Sequence, residues 1–263
     1  MTSYTTAQQE AIGCLDEPLQ IIACAGSGKT QVISQRIASI LAQPGVAPRN
    51  VIAFTFTEKA AAELKARIIG VVGEESVGLA EMYVGTMHGY CLDLLQRLVP
   101  ETFKFSVLSD ITARLLVDRN SRKSGLTTCP TSLASTPTLR RFIHSKLYLQ
   151  AMSVLREDSV DLNQVPEQVI ESQDDYLGLL YEKASFDFTE MINLAVQMLR
   201  PDPDDEDAQL VQAHIREDIR YVVVDEYQDV NPLQEQLIEG LVRHGANLCV
   251  VGDDDQTLYQ WRG

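Results

Sequence analysis

Apolar runs and chain breakers alternate in a βα rhythm at both ends of the sequence. Leu19–Cys24 reads as a buried strand ending in small residues, and Lys29–Leu41 carries apolar residues at helical spacing: Val32, Ile33, Ile37, Ile40 and Leu41. Pro44, Gly45 and Pro48 break that helix, and Val51–Phe56 is a second strand. Thr57–Ile69 is helical, Glu81–Gly85 is a short strand, and His88–Leu98 is a helix stopped by Pro100. Farther on, Tyr221–Asp225 and Leu248–Gly252 are buried strands around a helix at Leu233–Val242. Short, wholly apolar strands separated by helices predict an α/β fold with a parallel sheet covered by helices on both faces. From Ile111 to Lys183 the helical pattern continues without parallel strands, interrupted by the Thr/Ser/Pro-rich stretch Thr127–Thr138. The expected organisation is therefore an α/β domain built from residues 1–110 and 185–263, interrupted by a mostly helical subdomain at 111–184.

Charge changes this picture by half. The net charge of −15 over 263 residues would repel a polyanion if it were spread evenly, but it is not. Residues 1–150 hold 15 Lys+Arg against 12 Asp+Glu, whereas residues 151–263 hold 7 against 25. Between Arg114 and Lys146 stand seven basic residues (Arg114, Arg119, Arg122, Lys123, Arg140, Arg141, Lys146) and one acid, Asp118. Such a cluster is either a solvated face or a track for nucleic acid. The acidic run Pro201–Asp207 reads as an exposed linker. No run approaches the roughly 18 apolar residues of a membrane span, and the first residues lack a secretory layout, so no membrane partner is expected. Five scattered cysteines without a CxxC pair fit a reducing cytoplasm and neither a disulfide framework nor a zinc site.

Two constellations carry chemistry. Ala23-Cys24-Ala25-Gly26-Ser27-Gly28-Lys29-Thr30 follows a strand and opens a helix, the context of a phosphate-binding loop. Gly26 and Gly28 would let backbone N–H groups converge on phosphate oxygens beside the positive end of the helix. Lys29 would neutralise the β- and γ-phosphates, and the Thr30 hydroxyl would bind Mg²⁺. Ala23 replaces the first glycine of the strict pattern, and an ordinary glycine-rich turn is the competing account. Cys24 is either a reactive thiol near a helix N-terminus or a small buried filler. In the second constellation, Val222-Val223-Val224-Asp225-Glu226 sets two acids at the carboxyl end of a strand, where ligands bind in open α/β sheets. Asp225 would hold Mg²⁺ and Glu226 would act as general base toward the attacking water, unless the pair merely starts a surface loop.

Asp225-Glu226-Tyr227-Gln228-Asp229-Val230-Asn231-Pro232-Leu233-Gln234 is similar to DEYQDxNxxQ, and Gly252–Gly263 (GDDDQTLYQWRG) to GDDDQSIYxWRG, so the chain resembles the UvrD/Rep type of superfamily-one DNA helicase. Thr55–Ala61 (TFTEKAA) resembles TFTNKAA, Gly85–His88 (GTMH) resembles GTFH, and Ala7–Ala11 (AQQEA) resembles an adenine-reading motif. The blocks follow the family's order from Tyr4 to Gly263. The resemblance implies a RecA-like, ATP-binding motor domain that uses ATP and Mg²⁺ and acts on single-stranded DNA and single-strand/duplex junctions, with repair among the processes served. It assigns Gln8 to adenine and Gln256 to sensing the γ-phosphate, so the catalytic set is Lys29, Glu226 and Gln256. Phe56, Tyr259 and Trp261 become a platform on which bases stack, each contact typically worth roughly 1–3 kcal/mol. Thr86, His88, Lys59 and Arg262 join them along the strand. Cys24, Glu58 and Gln31 depart from the family's common Gly, Asn and Arg, and Glu58 brings a negative charge to the DNA side.

In that family ATP sits between two RecA-like domains, and the second supplies arginines to the transferring phosphate. The expectation is that these 263 residues are the first motor domain alone, with the second absent or supplied by a separate polypeptide. A binding module that needs a partner domain for turnover is the alternative to a hydrolysing enzyme, and a helicase–nuclease subunit is a third reading.

Overall fold

The computed structural model describes residues 4–24, 26–73, 78–132 and 136–253. In chain order the elements are α1 (Thr6–Gly13), β1 (Leu19–Ile22), α2 (Lys29–Leu41), β2 (Val51–Phe54), α3 (Glu58–Val72), β3 (Tyr83–Gly85) and α4 (Met87–Leu98). There follow β4 (Ser106–Val107), α5 (Asp110–Arg119), α6 (Ser145–Glu157), α7 (Glu167–Glu182), β5 (Ser185–Phe186) and α8 (Phe188–Met198). The last are α9 (Glu206–Asp218), β6 (Tyr221–Val224), α10 (Pro232–Arg243) and β7 (Asn247–Gly252). Two compact units form: one from Met1–Cys91, Gln197–Val230 and Gln234–Gly263, the other from Leu92–Val196 and Asn231–Leu233.

The first unit holds a five-stranded sheet in the order β1-β7-β6-β2-β3, with every neighbouring pair parallel. Its strands are short and apolar, and alternation sends successive side chains to opposite faces. Val51, Ala53, Val223, Cys249 and Val251 pack with Ile33, Ile37 and Ile40 of α2 and Leu64 and Ile68 of α3. On the opposite face the ring of Phe54 meets Tyr90 of α4 edge-on at 5.4 Å. Burial of these side chains on both faces is the main stabilising term, roughly 1.5–3 kcal/mol for each large apolar residue.

Arg36 of α2 is wholly buried, and its Nη1 donates to the carbonyl oxygens of Ala11, at 2.8 Å, and Cys14. These are carbonyls at the end of α1, a helix with no basic residue in its own last turn. The guanidinium thus fixes α1, and with it Gln8, against α2. The acidic run is only partly a linker. Asp205 caps α9 by accepting from the N–H of Ala208, and Glu206 and Asp207 form the helix's first turn, where negative charge meets the positive end of the helix dipole.

Among its described residues the second unit is mostly helical, with a two-residue parallel pairing of β4 with β5 and an isolated bridge between Pro130 and Thr138. Its core gathers Val117, Leu126, Tyr148, Met152, Tyr176 and Leu180. Beside it, Arg156 of α6 lies between two carboxylates. Nη2 is 2.6 Å from Asp187 and Nη1 is 3.1 Å from Glu190, and the Arg156 and Glu190 side chains are each 3% exposed. Nε donates to the Met152 carbonyl, while the hydroxyls of Tyr176 and Tyr181 donate to Asp187 and Glu190. Among the described residues no helix is long and apolar enough to cross a membrane.

Candidate nucleotide site and nucleic-acid edge

The loop after β1 turns twice through conformations that favour glycine. Gly26 has φ +78° and Gly28 φ +86°, and Gly28 caps the start of α2 without a side chain of its own. The Ala23 N–H prolongs the ladder by donating to Gly252, and the Ser27 N–H donates to the Cys24 carbonyl. The opening N–H groups of a helix have no partner within it, so this loop presents donors and a positive dipole end to whatever faces it. It faces a cavity of about 360 Å³ lined by Gly26, Gly28, Lys29, Thr30, Gln31, Arg67 and Glu226.

Gln8 reaches this loop from α1. Its amide oxygen accepts from the Thr5 N–H at 2.9 Å, completing a capping box, and its Nε2 donates to the Ser27 carbonyl at 3.1 Å. One side chain therefore ties the start of α1 to the phosphate loop. Cys24 is exposed, which removes the buried-filler alternative.

The carboxylates enter from the neighbouring strands. The Asp225 N–H donates to the Phe54 carbonyl at 3.0 Å, carrying the β6–β2 ladder one residue past the strand. Burial, with the negative charge of Glu226 adding to it, pushes the Asp225 carboxyl up to about 6, and Lys29 acts in the opposite sense. Glu226 adopts φ +52°, an uncommon conformation outside glycine, and its N–H donates to Asp225 Oδ1. Its Oε2 is 3.4 Å from Lys29 Nζ and accepts from Gln228 Nε2 at 2.8 Å. Gln228 closes a bridge to β7, because its Oε1 accepts from the Asp253 N–H at 3.0 Å. A Cβ on Gly252 would come within 2.8 Å of that same oxygen and would push the Gln228 amide out of this bridge. Asp253, 2% exposed, lies 4.0 Å from Lys29 Nζ on its other side.

A second set of predicted residues gathers at the ends of β2 and β3. Phe56, 39% exposed, follows β2, and the exposed Lys59 lies in the first turn of α3. Thr86 Oγ1 donates to Glu58 at 3.1 Å and accepts from the Gly89 N–H in the first turn of α4. The Tyr83 hydroxyl donates to the Thr86 carbonyl at 2.7 Å. His88 is half-buried, and desolvation lowers its pKa, which favours the neutral imidazole. Glu58 thus spends part of its charge on a hydroxyl that had been expected to meet the strand.

Residues 4–263 match the UvrD/REP helicase N-terminal domain family. The chain belongs to that family. It is 32% identical over 272 residues to the ATP-dependent DNA helicase PcrA of Bacillus subtilis (strain 168), covering 100% of this chain and 34% of that protein. The ATP-dependent DNA helicase UvrD1 of Mycobacterium tuberculosis (strain ATCC 25618 / H37Rv) is 35% identical over 269 residues, covering 97% and 33% respectively. PcrA of Staphylococcus aureus (strain NCTC 8325 / PS 47) is 29% identical over 271 residues, covering 100% and 35%. The chain spans about a third of the length of these relatives.

For this UvrD/REP domain the structure groups the predicted residues along the sheet. Gln8, Ala23, Cys24, Gly26, Ser27, Gly28, Lys29, Thr30, Asp225 and Glu226 collect at the β1–β7–β6 end, and Phe56, Thr86 and His88 at the β2–β3 end. Ala25, Gln256, Tyr259, Trp261 and Arg262 lie outside the described residues. Three contributors escaped the sequence reading. Arg67 lines the cavity from α3, but nothing in its helix distinguishes it from Lys65. Gln228 and Asp253 stood inside quoted motifs, yet only the fold shows one bracing Glu226 and the other flanking Lys29.

Proposed function

We propose that this domain binds Mg·ATP in the cavity between the glycine loop and Glu226, and that in the complete protein it hydrolyses ATP to move along single-stranded DNA and unwind duplex at junctions. The observation that carries this reading is Lys29, whose ammonium faces the cavity between Glu226, at 3.4 Å, and Asp253, at 4.0 Å. These are loose contacts that a phosphate can replace with shorter, charge-assisted ones.

Two donors suit Mg²⁺, which favours hard oxygen ligands and usually takes one or two carboxylates together with substrate phosphates. They are the Thr30 hydroxyl, beside Lys29 in the cavity wall, and the half-buried Asp225 carboxyl next to Glu226. When bound, the ion neutralises phosphate charge. Glu226 holds the water and takes its proton, with Gln228 fixing the carboxylate's orientation. Arg67 adds a second positive charge to the cavity. Exposed Phe56, with Thr86 and His88 on the next strand end, serves the DNA strand. The setting we propose is the cytoplasm, where the five free thiols stay reduced.

Titration with a fluorescent ATP analogue and Mg²⁺ tests the reading. Lys29→Ala should lower affinity by about a hundredfold, as loss of a charged hydrogen-bonding partner warrants, with the circular-dichroism spectrum preserved. Unchanged affinity in a folded variant removes the assignment. Residues 1–263 by themselves should turn ATP over slowly, because the family resemblance assigns the arginines that meet the transferring phosphate to a second domain.

A further inference from the structure

In the helical unit, the turn before α6 holds an aromatic ring out in water against both backbone and solvent preference. Phe142 has φ +64°, a left-handed conformation that is an outlier for a bulky residue. Its N–H donates at 2.7 Å to Oδ1 of Asp118, a buried carboxylate on α5 that locks the turn. The side chain displayed in this way is 62% exposed, and so is that of the adjacent Ile143. Burial would favour the opposite arrangement. Strain of this kind persists where surrounding groups over-determine it, and it clusters at binding sites.

The flanking chemistry identifies a ligand class. Arg140 and Arg141 precede the ring and are exposed, and the Arg141 guanidinium sits 4.3 Å from its centroid. The span from Arg114 to Lys146 carries seven basic residues, and its only acid is the inward-turned Asp118. Lys123 of that span is paired with Glu182 of α7, whereas Arg140 and Arg141 directly adjoin the exposed apolar pair Phe142 and Ile143. An apolar protein partner would have no use for the arginines. A nucleic-acid strand uses both features, bases against the ring and phosphates against the guanidinium groups.

We propose that the Arg140–Ile143 turn is a DNA contact of the helical unit. The Phe142 ring stacks on an unpaired base, and Arg140 and Arg141 take the phosphates on either side. This rests on the single-strand reading above but uses none of the nucleotide-site residues.

Phe142→Gly makes the test sharp, because it deletes the ring and also relieves the left-handed strain. The thermal midpoint should hold or rise, while affinity for fluorescein-labelled oligothymidine falls about tenfold with an unchanged salt slope. Phe142→Trp should retain binding. Arg140→Gln with Arg141→Gln should lower the salt slope by about 1.4, two phosphate contacts on a single strand. The proposal is overturned if Phe142→Gly binds oligothymidine as the parent does. Equal parental affinity for a blunt duplex, or no oligothymidine binding at low salt, also overturns it. Mg·ATP affinity, measured in the same samples, separates this failure from failure of the nucleotide reading: it is untouched by Phe142→Gly and lost in Lys29→Ala.

Discussion

Each unit of the molecule places one cation between two carboxylates, and the two arrangements could hardly be held more differently. In the helical unit Arg156 meets Asp187 at 2.6 Å and Glu190 at 3.1 Å, with the Tyr176 hydroxyl donating to the same Asp187 oxygen and the Tyr181 hydroxyl to the other oxygen of Glu190. Burial raises the pKa of Glu190, Arg156 pulls it down, and nearby Asp187 raises it again. In the sheet unit Lys29 stands 3.4 Å from a Glu226 whose side chain is 39% exposed, and 4.0 Å from Asp253. The first cluster is complete as it stands. The second is open on the side of the cavity, so its cation has somewhere to go. A planar, forked guanidinium suits a fixed joint, and a flexible ammonium suits a group that exchanges partners.

Mutation should separate the two clusters, beginning with the most closed. Arg156→Ala leaves the buried Glu190 and the half-buried Asp187 without their cation and should cost about 3–5 kcal/mol in denaturant unfolding. Arg156→Lys should recover only part of it, since a point charge cannot reproduce the paired contacts. If Arg156→Ala unfolds within about 1 kcal/mol of the parent, the cluster is no joint. Lys29→Ala should show the opposite profile, with about 1 kcal/mol or less in stability alongside its large loss of nucleotide. Glu226→Gln is a finer cut. Mg·ATP affinity should stay within about threefold while any hydrolysis falls by roughly 10²–10⁴; affinity lost together with turnover would make Glu226 an anchor. The smallest effect concerns exposed Cys24, which should alkylate severalfold more slowly with Mg·ATP present. Equal labelling rates would place the thiol outside the occupied loop.

How far this contrast was legible from sequence depends on the range of the interactions. Strands β2 and β6 announced themselves as apolar runs and β1 and β7 as nearly so, while the two-residue β4 and β5 were too short to leave a pattern; α2 begins and ends at the residues its periodicity indicated. The predicted β1, β2 and β6 overran by one or two residues at their ends, where single ladder bonds such as Ala23 to Gly252 and Asp225 to Phe54 continue past the regular pairing, while β7 begins one residue earlier than predicted. The glycine loop and the Asp225–Glu226 pair were readable as local patterns. Arg156 with Asp187 and Glu190 was not, because residues about 30 apart become partners only through tertiary packing. Arg67 and the left-handed turn at Phe142 were hidden for the same reason, one being a surface charge among several and the other a backbone state imposed from another helix.

The ladder bond from Asp225 to Phe54 has a mechanical consequence. The Asp225 N–H grips the Phe54 carbonyl at 3.0 Å, the Thr55 N–H grips Gly85 at 3.0 Å, and the next residue is the exposed Phe56. The linkage from the carboxylate pair to that ring is therefore one hydrogen bond and two peptide units long. Phe54 and Thr55 are buried, and close-packed interiors have little compliance, so this linkage has almost no slack. A displacement imposed at Asp225 would therefore have a short path to Phe56, and play introduced at Thr55 would lengthen it.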